Sequence, residues 1–353
     1  MTDRSAAADR ASASPDLARP VLSWRALPHP TPWDDVFAPG GAPGGAPGGA
    51  PGGAPGGLTV EVGFGDGRYT VRRAAAEPTM RFVGLEVSSG SLQRALKRVK
   101  GAGVANVRLL KAGANVAVRQ LFAPGSVDAV VVNFPCPWPK ERHVKHRLLN
   151  RGFFELAGSR LLPGGELRLA TDHADYLGFA LAEAAVTGLY VAERPEAPAE
   201  VFETKYALKW REQGKPLHYV VFRRNRAAAP EFPPLERPHV MPHALLRGTL
   251  PHDAHFEKVV LPYAGGHVIL HEAMRSLGGE DDPGRLLVRA TVEEPDLKQQ
   301  VLVLAQQRTA DEVIVRLESF GDPLVTPTAR GCVHAVTEWL LAGAPLEVTA
   351  RNY

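Results

Sequence analysis

The amino-acid sequence predicts an α/β fold, a doubly wound and mostly parallel sheet, followed by a small α+β domain. Three observations carry this. β-forming residues at 58–62 break into the glycine-rich turn Gly63-Phe64-Gly65-Asp66-Gly67, and a helical stretch follows at once. Strand and helix patterns then alternate strictly up to about residue 223, as they do when each strand returns through a crossover helix to a parallel sheet. Beyond a Pro- and Ala-rich stretch the pattern changes to consecutive strands closed by one helix. A chain of 353 residues is long enough for two such bodies, at least one of them with a large core.

Taken in order, residues 1–19 are Ala, Ser, Asp and Arg with almost no large apolar side chain, which predicts disorder. Residues 20–37 carry Trp24, Trp33 and Phe37, an arm expected to dock on the first domain. Residues 40–57 repeat Gly-Gly-Ala-Pro and close with Gly-Gly, a flexible tether whose period of four excludes a collagen helix. The strand at 58–62 leads into a helix over 68–76, stopped by Pro78, and a second strand over 81–86. A helix over 91–100 ends at Gly101, then come a strand at 106–110 and a helix at 115–122. The continuous apolar run at 127–133 (VDAVVVN) reads as a strand buried on both faces. A helix over 147–162, a strand over 165–171, a helix over 176–187 and an antiparallel strand over 217–223 complete the first domain. Residues 227–238 read as a linker. Strands at 258–261 and 267–272 form a hairpin around Pro-Tyr-Ala-Gly-Gly, strands follow at 286–293, 301–307 and 313–319, and an amphipathic helix covers 329–341. The expected division is an arm and tether (1–57), a first domain (58–226), the linker (227–238) and a small domain (239–353).

Composition narrows the function classes. Hydrophobic residues at 44% and charged residues at 22% are ordinary for a soluble globular protein. A net charge of only +3 means that any attraction to nucleic acid must come from local clustering. The two cysteines, Cys136 and Cys332, form no CxxC, so neither a disulfide framework nor a metal site is expected. No apolar run spans a membrane and the N-terminus lacks a signal-peptide core, so the expected setting is the cytoplasm.

The glycine turn points to a ligand lying against bare backbone, with the first free N–H groups of a helix beneath it. A dinucleotide turn wants G-x-G-x-x-G, but Arg68 stands where its third glycine belongs. Glu61, two residues before Gly63, would repel a pyrophosphate and suits a cation such as the sulfonium amino acid of S-adenosylmethionine. Glu86, ending the second strand, is placed for a ribose diol. The competing reading is a plain strand-turn-helix with no ligand.

Residues 133–147, NFPCPWPKERHVKHR, follow the fourth strand of the predicted sheet. Pro135, Pro137 and Pro139 stiffen this loop and forbid helix. Asn133, Phe134 and Trp138 supply an amide and two aromatic faces for a flat base, while Lys140, Arg142, His143, Lys145, His146 and Arg147 line up positive charge along the next helix. A solvated basic face beside a stiff loop is the alternative. Cys136 reads as a small buried residue in preference to a nucleophile, and Asp172 either caps the following helix or meets the substrate.

EVGFGDG, GLEVS at 84–88, NFPCPWPKERHVKHR, ATDH at 170–173 and TKYALKW at 204–210 occur in the order seen in the bacterial tRNA (guanine-N7-)-methyltransferase family, which residues 58–224 resemble. PWPKxRHxKxR is the most specific element. The C-terminal part resembles an extra domain of some thermophile members. The resemblance implies a Rossmann-like class I methyltransferase fold and transfer of a methyl group from S-adenosylmethionine to N7 of the variable-loop guanine at tRNA position 46, by a chain expected to act as a monomer. Carried over, it places Glu61, Gly63, Gly65 and Gly67 on the cofactor's amino-acid end and Glu86 on its ribose, with Gly113 and Asn133 in the same cofactor set. Lys140, Arg142, Asp172 and Thr204 meet the tRNA, and Cys136 and Asp172 hold the catalytic positions.

Three positions depart from the family pattern: Gly113 where an acidic residue is usual, Cys136 where an aspartate precedes Pro-Trp, and Ala207 where a glutamate follows Thr-x-Tyr. N7 carries a lone pair and no proton, so its methylation needs aim more than a general base, and positioning is worth about 7–11 kcal/mol. A glutamate reading guanine N1–H and N2–H₂ is the heavier loss, because a missing buried partner costs about 1–3 kcal/mol; Asp172 or Glu203 is the expected substitute. Two other functions compete: methylation of an exocyclic amine, from the likeness of Asn-Phe-Pro-Cys to the Asn-Pro-Pro-Tyr loop of amino-methyltransferases, and tRNA binding without catalysis.

Overall fold

The computed structural model describes residues 17–38, 56–235, 241–263, 265–277, 284–295, 297–321 and 323–353, without the side chains of Trp210 and Arg211. The disorder expected before residue 17, most of the tether and the end of the linker lie outside the described residues. The chain divides into two compact units, residues 1–234 and 235–353.

The first unit is built on one sheet. Its strands are β1 (Val21–Leu22), β2 (Leu58–Val62), β3 (Arg81–Glu86), β4 (Val107–Lys111), β5 (Val127–Asn133), β6 (Leu161–Thr171), β7 (Tyr190–Glu193) and β8 (His218–Arg224). They lie in the order β1-β4-β3-β2-β5-β6-β8-β7. β1 to β6 run parallel, and β8 inserts antiparallel between β6 and β7. Connections leave β2 toward β3 on one side, whereas β5 lies on its other side. A crevice therefore opens at the C-terminal tips of β2 and β5, where an open α/β sheet takes its ligand. β2 is buried at every residue, and β5 is buried at all but Asp128 and Asn133, as helices on both faces require.

The helices are α1 (Trp33–Phe37), α2 (Arg68–Ala76), α3 (Ser89–Ala102), α4 (Ala114–Leu121), α5 (Arg151–Arg160), α6 (Ala174–Thr187), α7 (Ala199–Phe202) and α8 (Lys205–Glu212). The strands at 58–62, 81–86 and 127–133 and the helix at 68–76 fall where the pattern put them. The helix expected from residue 147 starts at Arg151 instead. Asn150 caps it by accepting from the Phe153 amide at 3.0 Å, and Glu141–His146 form a separate 3₁₀ helix. β7, α7 and α8 are additions. β7 is mostly exposed at a sheet edge and carries no apolar alternation to reveal it.

The N-terminal arm docks through its aromatics. Trp33 stacks on Phe122 with ring centroids 5.3 Å apart, and its Nε1 donates to the Leu121 carbonyl at 3.0 Å. Residues 227–234, read as linker, are held on this unit: buried Arg160 donates to the Phe232 carbonyl, and Arg224 donates to that of Ala227.

The second unit is an antiparallel sheet of β9 (His243–Arg247), β10 (Val259–Tyr263), β11 (Gly266–Arg275), β12 (Arg285–Glu293), β13 (Lys298–Thr309), β14 (Glu312–Leu317) and β15 (Glu347–Arg351), in the order β10-β11-β12-β13-β14-β9-β15. Alternating residues of these strands bury Val268, Val288, Val303 and Val315 against Cys332, Val333 and Val336 of α9 (Pro327–Gly343). β10 and β11 pair as the expected hairpin, whereas β9 and β15 were not foreseen. Among the described residues no helix is long and apolar enough to cross a membrane, and no group of His, Cys, Asp or Glu is arranged to hold a metal.

Candidate active site

The turn after β2 takes the backbone that its glycines permit, with φ of +74° at Gly63, +58° at Gly65 and +77° at Gly67. A Cβ at Gly67 would stand 2.8 Å from that of Ala95, so this glycine also lets α2 close on α3.

Glu61 sits just beneath the turn and is 4% exposed. Its carboxylate accepts from the Thr70 hydroxyl on α2 and from Asn133 Nδ2 on β5 at 3.3 Å. Burial pushes its pKa up to about 7, against the pull of these two hydrogen bonds. Asn133 Oδ1 is buried and has no partner among the described residues. Glu86, at the tip of β3, accepts from the Gly65 amide at 3.1 Å and from the Val87 and Ser88 amides at 2.9 Å each. One carboxylate thus fixes the glycine turn and the other lies below it.

Glu61, Gly63, Gly65, Asn133, Phe134 and Thr204 border a cleft of about 550 Å³, part of it open to solvent. Arg68, Tyr69, Arg94, Lys205 and Tyr206 also line it and were not singled out from the sequence. TKYALKW contains two of them, and Thr70 was detectable only through its hydrogen bond. Gly67, Glu86, Gly113, Cys136, Lys140, Arg142 and Asp172 stand outside that lining.

The loop after β5 is shaped by its backbone and by one arginine. Phe134 (φ +52°) and Trp138 (φ +43°) take a left-handed conformation that costs such residues energy. Arg147, expected to add surface charge, is instead 7% exposed. Its Nε donates to the Pro137 carbonyl at 2.9 Å, and its guanidinium lies 5.0 Å from the Phe179 ring centre. Trp138 packs against His143 and His146 at 5.7 and 5.3 Å. Lys140, Arg142 and Lys145 remain exposed. Cys136 is exposed as well, contrary to the buried position expected of it.

Asp172 does not cap α6. His173 begins that helix without a side-chain cap, and the Thr171 hydroxyl accepts from the His173 amide at 3.2 Å. Asp172 pairs with Lys215 at 3.5 Å. Thr204 is the cap of α8, accepting from the Ala207 amide at 3.2 Å and donating to the Val201 carbonyl at 3.0 Å. Ala207 is buried at 4%, and Glu203 is turned to Arg72. Gly113 precedes α4, and a Cβ there would meet only Val116 at 3.9 Å, an ordinary contact, so close packing is not what calls for glycine here.

A buried carboxylate, an unpartnered amide oxygen and a glycine turn fit a ligand that brings positive charge and hydrogen-bond donors, as the amino-acid end of S-adenosylmethionine does. A pyrophosphate does not fit this set.

Comparison with known proteins gives the same direction. A family profile described as "Putative methyltransferase" matches residues 56–220. The chain is 42% identical over 285 residues to a protein named tRNA (guanine-N(7)-)-methyltransferase from Thermus thermophilus, covering 81% of this chain and 89% of the relative. A Deinococcus radiodurans protein of the same name is 41% identical over 83% of this chain and 92% of its own length. One from Thermotoga maritima is 28% identical over 84% and 90%.

Proposed function

The chain belongs to the tRNA (guanine-N(7)-)-methyltransferase family, and from that premise we propose that it methylates N7 of a guanine in tRNA, the variable-loop guanine at position 46, with S-adenosylmethionine as donor. The single observation that carries this reading is the buried Glu61 carboxylate at the tip of β2, set below a glycine turn and across from a loop that exposes cations.

When bound, the cofactor supplies a methyl group on a positively charged sulfur. Glu61, ionised by that approaching charge, holds the ammonium of the amino-acid end. Gly63 and Gly65 leave room for it against the main chain, and Glu86 takes the ribose hydroxyls with the lone pairs its three amide donors leave over. Asn133 spans the two halves, since its amide donates to Glu61 while its unpartnered oxygen accepts from a ligand.

The target nitrogen already carries its lone pair, so the residues of the loop have to aim it and need not remove a proton. Lys140 and Arg142 hold the flanking phosphates. Asp172 and Thr204 stand near the base, and the exposed Cys136 occupies the place of the family's aspartate without a proton to accept. The proposed setting is the cytoplasm, with the monomer as the working unit.

Nucleoside analysis by mass spectrometry, on tRNA incubated with the purified chain and labelled donor, tests this. The expected product is 7-methylguanosine. A methyl group on an exocyclic nitrogen, or tRNA binding with no transfer at any enzyme concentration, would replace the reading.

A further inference from the structure

A second concave surface adjoins the cleft. It is a groove of about 1290 Å³ of open space lined by Arg68, Val71 and Arg72 of α2, by Arg98 of α3, and by Glu203 and Leu208. Arg68 lines the groove and the cleft alike, and Glu203 in the groove is followed directly by Thr204 in the cleft. The two are therefore continuous.

Of its lining residues Arg68, Arg72 and Arg98 are cationic and Glu203 is anionic. The two helices beside it add Arg73 on α2 and Arg94, Lys97 and Lys100 on α3, and neither helix holds a carboxylate. The whole chain carries only +3, so this is a concentrated local excess. Nearby acids offset part of it. Arg73 is taken by Glu77 and Glu200, Arg72 meets Glu203, and Arg68 and Arg98 share the single carboxylate of Asp66 at 3.0 and 3.4 Å. Arg94 and Lys97 make no ion pair among the described residues. Arg94 and Arg98 are one turn apart, about 6 Å along α3, so the cations follow one another from the cleft outward. A solvated helix face normally intersperses both signs. A concave surface whose cations outnumber its carboxylate and which begins at the cleft fits an extended polyanion threaded past it.

We propose that this groove binds the sugar-phosphate backbone of the tRNA on one flank of the target guanine, as a second track separate from Lys140 and Arg142. The proposal rests on the tRNA-methylating reading above and adds where the substrate runs. Arg72 and Arg98 of the lining pair with phosphates, together with the exposed Lys97 that precedes Arg98 on α3, and Glu203 gives up Arg72 as RNA enters.

The test is a salt series of tRNA binding to the full chain carrying Arg72→Gln and Lys97→Gln, with donor affinity measured by calorimetry alongside. The expected result is a several-fold weaker tRNA affinity and a log–log salt slope flatter by about two, one per lost phosphate contact, with donor affinity unchanged. Arg72→Lys with Lys97→Arg should restore the slope. Wild-type affinity and slope in the double Gln variant, while the unaltered chain still methylates tRNA, would overturn the groove assignment alone. An unaltered chain that neither binds nor methylates tRNA would overturn the parent reading as well.

Discussion

The two sides of the cleft are made of different material. The donor side is main chain and buried carboxylate. Its glycine turn is held by Glu86 through an amide hydrogen bond, and Glu61 is fastened by Thr70 and Asn133. All of it comes from one short stretch of chain and the strand ends beside it. The acceptor side is an exposed loop with two left-handed non-glycine residues, fastened from beneath by Arg147, and completed by α8 some sixty residues further on. A small cation needs a rigid, desolvated seat prepared before it arrives, whereas a large polyanion needs an open, cationic ledge whose cost is carried by strain and a brace. Order on the first side is enforced by hydrogen bonds to two carboxylates, and on the second by one buried arginine and the packing around it.

Substitutions can break this contrast, and the largest effect belongs to the donor side. Glu61→Ala is expected to weaken donor binding by about a hundredfold, the worth of a buried charged hydrogen bond, with tRNA affinity retained. Calorimetry for the donor and filter binding for the tRNA read the two separately, and equal losses would erase the division of labour.

A pH effect on stability of about 3 kcal/mol accompanies it. Because burial raises the Glu61 pKa to about 7, the folded chain keeps this proton over a range in which the unfolded chain has lost it. Glu61 therefore lowers stability progressively as pH rises from the usual carboxylate range to about 7, and by a constant amount above that. The stability gain of Glu61→Gln over the wild type should grow through this window in denaturant titrations and stay flat beyond it. A gain independent of pH would contradict the assigned burial effect. Donor affinity of the wild type should rise over the same window, since the bound cation needs the ionised form.

A smaller change is expected at the brace. Arg147→Met keeps bulk against Phe179 but leaves the Pro137 carbonyl without its donor. This should lower kcat about tenfold through loss of aim and cost about 1–2 kcal/mol of stability, while the salt slope of tRNA binding is unaffected because Arg147 is buried. A changed slope with normal kcat would make it a phosphate contact. The smallest effects belong to Lys140→Ala and Arg142→Ala, each a few-fold in tRNA affinity with a slope flatter by about one. An unaltered slope in both would move the RNA surface away from the loop.

What was legible in the sequence follows the same division. Runs such as VDAVVVN and the turn GFGDG report their own structure, because burial on both faces and positive φ are properties of the residues themselves. β2, β3, β5 and α2 therefore fell where the pattern placed them. Arg147 was misread as surface charge because nothing local shows that a carbonyl ten residues away will bury it. Thr204 and Asp172 escaped a local reading for a related reason: the threonine caps α8, a helix the pattern did not reveal, and the aspartate at the end of β6 pairs with Lys215, just before the neighbouring β8. Edge strands β7 and β15 escaped because exposed residues carry little periodicity. Glu61 was identified by its type and spacing, but its perturbed titration depends on desolvation by neighbours far along the chain.

The most direct measurement is a crystal structure of the full chain soaked with S-adenosylhomocysteine, the uncharged-sulfur product of the donor. The account predicts its ammonium against the Glu61 carboxylate and Asn133 Oδ1, its amino-acid end over Gly63 and Gly65, and its ribose on Glu86. Density elsewhere in the unit, or a ligand that turns an anionic group toward Glu61, would contradict it.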